Sequence, residues 1–270
     1  MKSKITGGPA TLLFNAKILN KYDVDFFRCD ETGFIQTEEP YWLDEAYSSA
    51  ITKLDLGLVS RNIQLAEKTE KIIQEHFDPK TRFLDYAGGY GMFTRIMRDK
   101  GFDYYHMDPY CENLFAEYFS LNDTGDDTRF ELTTSFEVAE HLANPREEFK
   151  QMIGRSDSLL FTTELVPDTL IDSVSDWWYF IPETGQHVSF YTREALQHLA
   201  DLYGFQFYTD NYGLHLFTRK AIADPFKTKK EPLLIRKARR MIARFDRKKQ
   251  CQNGSLLQQD LQMVRNKISG

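Results

Sequence analysis

Asp85, Tyr86, Ala87, Gly88, Gly89, Tyr90 and Gly91 follow one another directly after a short apolar run, Phe83 and Leu84. Glycine at 88, 89 and 91 lets the backbone approach a ligand where a side chain would collide. The residues after Gly91 read as a helix, and the first N–H groups of a helix are unpaired and carry partial positive charge. A second apolar run, 104–107, ends on Asp108 and Pro109. An acid at that place can take two ribose hydroxyls, although Asp-Pro also starts turns. Strand, glycine turn, helix, strand and acid together form a holder for a nucleotide-like cofactor.

The acid at 85 bears on which cofactor. A carboxylate at the end of the first strand would repel a pyrophosphate, and dinucleotide loops usually run Gly-x-Gly-x-x-Gly with no acid there. Asp85 suits a ligand with an ammonium group and no phosphate, as S-adenosylmethionine is; it could equally accept bonds from loop N–H groups. A third segment, from Ser135 through Phe136, Glu137, Val138, Ala139, Glu140 and His141 to Pro145, closes a later strand. Glu140 and His141 also fit plain helix-start chemistry.

These residues need elements to position them. From 83 onward strand and helix signals alternate: strands at 83–85, 104–107, 130–138 and 158–163, and helices at 91–100, 113–119, 146–153 and 193–203. Two last strands, 205–209 and 214–218, are joined by the short 210–213 link, so the final strand is expected to be antiparallel. Such alternation predicts an α/β fold with a mostly parallel sheet covered by helices on both faces. Residues 1–40 read as irregular, with a strand or hairpin at 22–35. Residues 41–77 read as helical, and Pro79 ends that segment.

With these motifs in place the chain resembles the class I S-adenosylmethionine-dependent methyltransferases over residues 82–219. Residues 83–91 look like their first motif, 107–109 like their ribose-binding strand end, and 136–141 like their fourth-strand motif. The resemblance implies a Rossmann-like seven-stranded sheet and S-adenosylmethionine as cofactor, held by Asp85, Ala87, Gly88, Gly89, Gly91, Asp108, Pro109, Phe136 and Glu137. Ala87 stands where the family more often has glycine. The acid that often contacts adenine after the third strand has no clear counterpart here; Asn122 or Asp123 is the nearest.

A long aromatic stretch follows the 158–163 strand. It begins at Glu164 and carries Trp177, Trp178 and Tyr179 before Gly185, Gln186 and His187. Long loops of such content usually cover a site. A histidine titrates near neutrality and suits a hydroxyl acceptor as general base, so His187 is the expected base, with His141, Glu164, Trp177, Trp178 and Tyr179 as substrate contacts. Residues 185–191 are similar to a stretch of methyltransferases that act in bacterial polysaccharide and sugar-nucleotide pathways. That likeness implies a saccharide, a capsule or glycan precursor, or a related small molecule as methyl acceptor. Some sugar C-methyltransferases carry an N-terminal zinc module with paired cysteines. Here Cys29 stands alone and Thr32 takes the second position; one thiolate cannot complete a four-ligand zinc site, so no metal is expected.

Bulk properties narrow the class. Hydrophobic residues make up 41% and aromatics 14% of 270 residues, enough to build a full core and to argue against disorder. A net charge of −6 gives no reason to expect nucleic acid as a partner. Cys29, Cys111 and Cys251 are far apart and odd in number, which suits a reducing, cytoplasmic setting. The N-terminus carries no long apolar run, so no secretory signal is expected. Residues 1–77 are expected to form a lid or interaction subdomain, 78–220 the cofactor-binding domain, and 221–270 a basic helical tail. The tail packs on the domain or rests peripherally on an anionic membrane face. Two further readings stay open: a non-catalytic S-adenosylmethionine-binding subunit of a membrane-associated glycan assembly, and a dinucleotide-dependent Rossmann enzyme.

Overall fold

A computed structural model describes residues 1–47, 55–125, 127–227 and, near the C-terminus, 262, 263 and 266. The basic tail expected at 221–270 lies almost wholly outside the described residues. Among the described residues no helix is long and apolar enough to cross a membrane.

Among the described residues ten strands form two sheets. The central one has six strands in the order β5 (Asp103–Met107), β4 (Arg82–Tyr86), β6 (Leu132–Ser135), β7 (Ser158–Thr162), β10 (Leu214–Thr218), β9 (Gln206–Thr209). The first four run parallel, while β10 pairs antiparallel with both β7 and β9. Every residue of β6 and β7 is buried, as expected of strands covered on both faces. One face packs on α2 (Leu58–His76) and α3 (Met92–Asp99), around Ile73, Phe83, Met97 and Leu216. The other packs on α4 (Pro145–Met152) and α5 (Arg193–Leu202), around Phe149, Phe161, Leu199 and Phe217.

Local sequence explains the helix starts. Pro145 opens α4, where its missing N–H costs nothing. Thr192 caps α5 by accepting the Ala195 N–H. Its hydroxyl also donates to the carbonyl of Thr32, tying the N-terminal segment to the domain. On α2, Leu65, Ala66, Thr69, Ile72 and Ile73 recur at helical spacing and are the residues it buries.

Three expectations are corrected. First, the N-terminal segment is more regular than expected, with strands beyond the strand or hairpin expected at 22–35. It forms β1 (Ala10–Ile18), β2 (Tyr22–Cys29) and β3 (Ile35–Thr37), joined by β8 (Ser189–Phe190) in an antiparallel sheet. The alternation of β1, with Phe14, Ala16 and Ile18 buried, marks a sheet with one covered face. That face shares a core with Trp42, Trp177, Phe180 and Phe190, so the aromatic stretch is the other half of the N-terminal unit. Second, residues 113–119 are not a helix. They form turns tied down by Asn113, which accepts the Ala116 N–H and donates to the Ala116 carbonyl and to Ser120. Third, the described central sheet has six strands, not seven. Where a further edge strand would lie beside β5, only a single parallel bridge, His106 to Ser120, is made. The helical segment expected at 41–77 is represented by the short α1 (Leu43–Ala46) and by α2.

Candidate functional site

The carboxyl ends of β4, β5, β6 and β7 lie together at one edge of the sheet, the edge at which open α/β sheets bind ligands. After β4 the chain turns through Ala87, Gly88, Gly89 and Tyr90 to Gly91, which starts α3. Ala87, Gly89 and Gly91 have φ of 55°, 57° and 82°. Gly88 is needed for a different reason: a Cβ there would lie 2.4 Å from Oδ2 of Asp85 and 2.9 Å from Cδ2 of His106. A Cβ on Gly89 would meet nothing within 4 Å. The turn therefore opens onto free space at Gly89.

Asp108, at the end of β5, borders that space. Its Oδ2 accepts the Gly89 N–H at 2.9 Å, and its Oδ1 accepts the N–H groups of Tyr110 and Cys111 at 2.8 and 2.9 Å. Opposite, His106 sets its Nε2 2.8 Å from the Gly89 carbonyl. Carboxylate oxygens have further acceptor capacity, as a ribose diol requires. Pro109 is exposed beside it. Phe136 is partly buried and packs edge-on against Phe93, with centroids 4.8 Å apart. Asp85 is buried and takes the hydroxyl protons of Thr94 and Thr134 at 3.0 and 3.1 Å. Burial pushes its carboxyl up to about 7 against the pull of those two bonds. It shapes the turn through Gly88, and threonine hydroxyls engage both of its oxygens. An acid-bordered turn with a bare glycine, and with its nearest acid held by backbone N–H groups, fits a cationic sulfonium nucleoside.

The second half of the site is a cleft of about 410 Å³ between the N-terminal end of α2 and the ends of β6, β7 and β10. Glu137, Glu164, Trp178, Tyr179, Arg61 and Tyr212 line it. Glu137 has φ of 57°, an uncommon conformation for a residue with a side chain. Its backbone N–H donates to the Thr162 hydroxyl, which in turn donates to Oε1 of Glu137 at 2.9 Å. Its Oε2 lies 3.4 Å from Nε of Arg61. Glu164 borders the same cleft, its carboxyl raised by burial and by the charge of Glu137. The three consecutive aromatics part company: Trp177 and Tyr179 are buried, whereas Trp178 is 64% exposed on the cleft wall.

His141 and His187 meet edge to face behind Tyr179, with ring centroids 4.9 Å apart. The chain path brings them together. The Val188 N–H donates to the Glu140 carbonyl at 2.9 Å, and Nδ1 of His141 lies 3.1 Å from the Gln186 carbonyl. Nδ1 of His187 lies 2.7 Å from the Tyr179 carbonyl. Burial pushes both imidazoles down, His141 to about 4 and His187 to about 3. Glu140 is buried next to them, and burial followed by the charge of Glu137 raises its carboxyl.

Two matters escaped the sequence reading. Arg61 was one cation on a predicted helix, with nothing to mark it as the partner of Glu137. The adjacency of Glu140 and His141 to His187 spans more than 40 positions and depends on how β8 returns to the strand end.

Residues 59–209, more than half of the chain, match the family model described as "Methyltransferase domain". The chain belongs to this methyltransferase family. Its fold is the Rossmann-like fold of the class, and the class cofactor is S-adenosylmethionine. No curated protein matches the chain. Among solved structures, the plantazolicin methyltransferase BpumL in complex with SAH is 11% identical, with 67% of this chain and 95% of that one covered and a TM-score of 0.46. CalO1, a methyltransferase in calicheamicin biosynthesis in its SAH-bound form, is 12% identical, with 67% and 60% covered and a TM-score of 0.39. An O-methyltransferase family 2 protein from Planctomyces limnophilus in complex with apigenin is 15% identical, with 66% and 65% covered and a TM-score of 0.42. The chain thus spans less than two thirds of the last two proteins' length.

Proposed function

We propose that this methyltransferase acts on a hydroxyl, or a comparable nucleophile, of a small polyhydroxylated molecule such as a saccharide or glycan precursor. The observation that carries the reading is the position of Glu137. Held in the left-handed region two residues past β6, it lines the cleft walled by Trp178 and Tyr212. An aromatic face gives a sugar ring an apolar surface to lie on. Arg61, Glu137 and Glu164 supply donors and acceptors around it.

When bound, S-adenosylmethionine supplies an already activated methyl group. Asp108, Gly88, Gly89 and Gly91 would hold it. The chain's own remaining work is to orient the acceptor, keep water out and handle one proton. Trp178, Tyr179 and Tyr212 do the first two. His187 is assigned the proton as long as its Nε2 is free, since Nδ1 faces a backbone carbonyl; Tyr179 stands between it and the cleft. A nitrogen held near 3 is a weak base for an ordinary alcohol, so the acceptor oxygen must be made more acidic where it binds.

The dinucleotide reading is disfavoured by the match of residues 59–209 to a methyltransferase domain. The test is calorimetry with S-adenosylmethionine and with NADH, followed by a methyl-transfer screen over sugar nucleotides and phosphorylated saccharides. Saturable binding of S-adenosylmethionine with turnover of a saccharide supports the proposal. Binding of NADH alone, or turnover confined to apolar aromatic acceptors, overturns it.

A further inference from the structure

Glu140, His141 and His187 each offer one ligand atom, and these atoms lie within 4.8 Å of one another. We propose that these three side chains form a binding site for a divalent first-row metal ion, Zn²⁺ by preference, with a position left open for an oxygen ligand. The expectation of no metal came from the lone Cys29, whereas this site is built elsewhere, from the strand end after β6 and the turn before β8.

The histidines are prepared for the role. A backbone carbonyl can only accept, so Nδ1 of His141, facing the Gln186 carbonyl, and Nδ1 of His187, facing the Tyr179 carbonyl, must carry the ring protons. Each Nε2 is then left with the lone pair a metal requires. Such a second hydrogen bond, fixing tautomer and ring orientation, is the usual support of a metal-bound histidine.

The carboxylate is the independent observation. Glu140 is 1% exposed, and its Oε2 is buried without a hydrogen-bond partner. A buried oxygen left without a hydrogen-bond partner is costly. Nε2 of His141 stands 4.0 Å from Oε1 of the same carboxylate. Among the described residues no Lys or Arg comes within ion-pair distance of Glu140, since Arg61 is taken by Asp55 and Glu137. A divalent cation between two neutral imidazoles and this carboxylate would satisfy the orphaned oxygen.

The donor set narrows the ion. Two imidazoles and a carboxylate are the ligand types of catalytic zinc sites with an open fourth position, whereas Mg²⁺ and Ca²⁺ prefer oxygen ligands throughout. Tetrahedral donors at bonds of about 2.0–2.1 Å lie about 3.3 Å apart. The three atoms must therefore close by roughly 1 Å or more, within the reach of small side-chain rotations. Tyr179 packs against His187 and lines the cleft, so it stands between the ion and the acceptor side. With the ion bound, Nε2 of His187 is a ligand and cannot also take the acceptor's proton. The binding of the ion does not depend on the proposed function.

The test uses the whole chain, stripped with a chelator and titrated with Co²⁺ under visible absorption, then with Zn²⁺ under calorimetry. The expected result is one equivalent of Co²⁺ per chain, with the intense bands of a four- or five-coordinate ion that Zn²⁺ displaces. Loss of an outer partner alone costs a metal site about 10–100-fold, so His187→Ala and Glu140→Gln should each weaken binding at least tenfold. Should either variant fail to fold, the wild-type spectrum and a Zn²⁺-dependent rise in the wild-type Tm decide the matter. Absent bands with no rise in Tm, or equal affinity in wild type and folded variants, overturns the site. S-adenosylmethionine is titrated into the same metal-free sample. Cofactor binding without metal binding removes the metal site and leaves the methyltransferase reading standing. Metal binding without cofactor binding does the reverse.

Discussion

The N–H of Gly89 and Oδ2 of Asp108 meet at 2.9 Å across the turn that follows β4, which fixes the strand-end acid against the glycine of that turn with open space above it. A hydrogen bond to a charged acceptor is worth about 1.5–3 kcal/mol. Replacing Asp108 with Ala should therefore weaken S-adenosylmethionine at least tenfold by calorimetry. Asp108→Asn keeps an acceptor for Gly89 but loses the charge, and should fall between the two. Unchanged affinity in Asp108→Ala would remove the ribose role.

Gly88 and Gly89 are adjacent, and their replacement should fail in different ways. Alanine at 88 puts a methyl group 2.4 Å from Oδ2 of buried Asp85. Overpacking of this kind costs about 1–3 kcal/mol, so Gly88→Ala should lower the Tm. Alanine at 89 meets no atom, and its left-handed backbone costs about 1–2 kcal/mol. Its methyl group occupies the ligand's space, so Gly89→Ala should lose cofactor affinity more than stability. Thermal scans and cofactor titration of the pair check this. Ala87, with φ of 55°, predicts the converse: Ala87→Gly relieves strain and should not lower the Tm.

How much of this was legible in the sequence follows from the range over which each signal acts. The glycine turn, Asp108, the alternation from β4 onward and the antiparallel β10 are all set within a few residues, by backbone freedom, strand periodicity and a short link. The N-terminal sheet was hidden because its fourth strand, β8, arrives from position 189, and because Trp177 and Phe180 supply half its core. The expected 113–119 helix is absent because the side chain of Asn113 competes for the backbone groups a helix would use. In the site itself His187 stood out, while its nearness to His141 and Glu140 depends on bonds such as Val188 N–H to the Glu140 carbonyl.

Two neighbouring tryptophans separate stability from function. Trp177 is 7% exposed in the N-terminal core, and Trp178 is 64% exposed on the cleft. Removing a buried tryptophan costs about 3–5 kcal/mol, so Trp177→Ala should unfold at much lower denaturant. Trp178→Ala should stay within about 0.5 kcal/mol of the wild type. It should instead raise KM for the acceptor about 2–10-fold, the worth of an aromatic contact of about 0.5–1.5 kcal/mol. A Trp178→Ala enzyme with unchanged KM would place the acceptor elsewhere.

Asp85 predicts how stability changes with pH. Its carboxyl titrates at about 7 in the fold, against an ordinary value of 3.8. Between those values the folded chain holds a proton that the unfolded chain has released. The folded pKa is raised, so this contribution to stability is fully present below about 3.8 and declines as pH rises toward 7. At about 1.36 kcal/mol per unit, the difference approaches 4 kcal/mol at pH 8. Asp85→Asn cannot ionise, and its amide can still meet the hydroxyls of Thr94 and Thr134, which reorient to donate or accept. Denaturant unfolding at pH 5 and pH 8 should therefore show the wild type losing more stability than Asp85→Asn across that interval, with the variant the more stable at pH 8. Parallel loss in the two proteins would mean that Asp85 is ionised in the fold at neutral pH and that the Thr94 and Thr134 hydroxyls suffice to hold its charge.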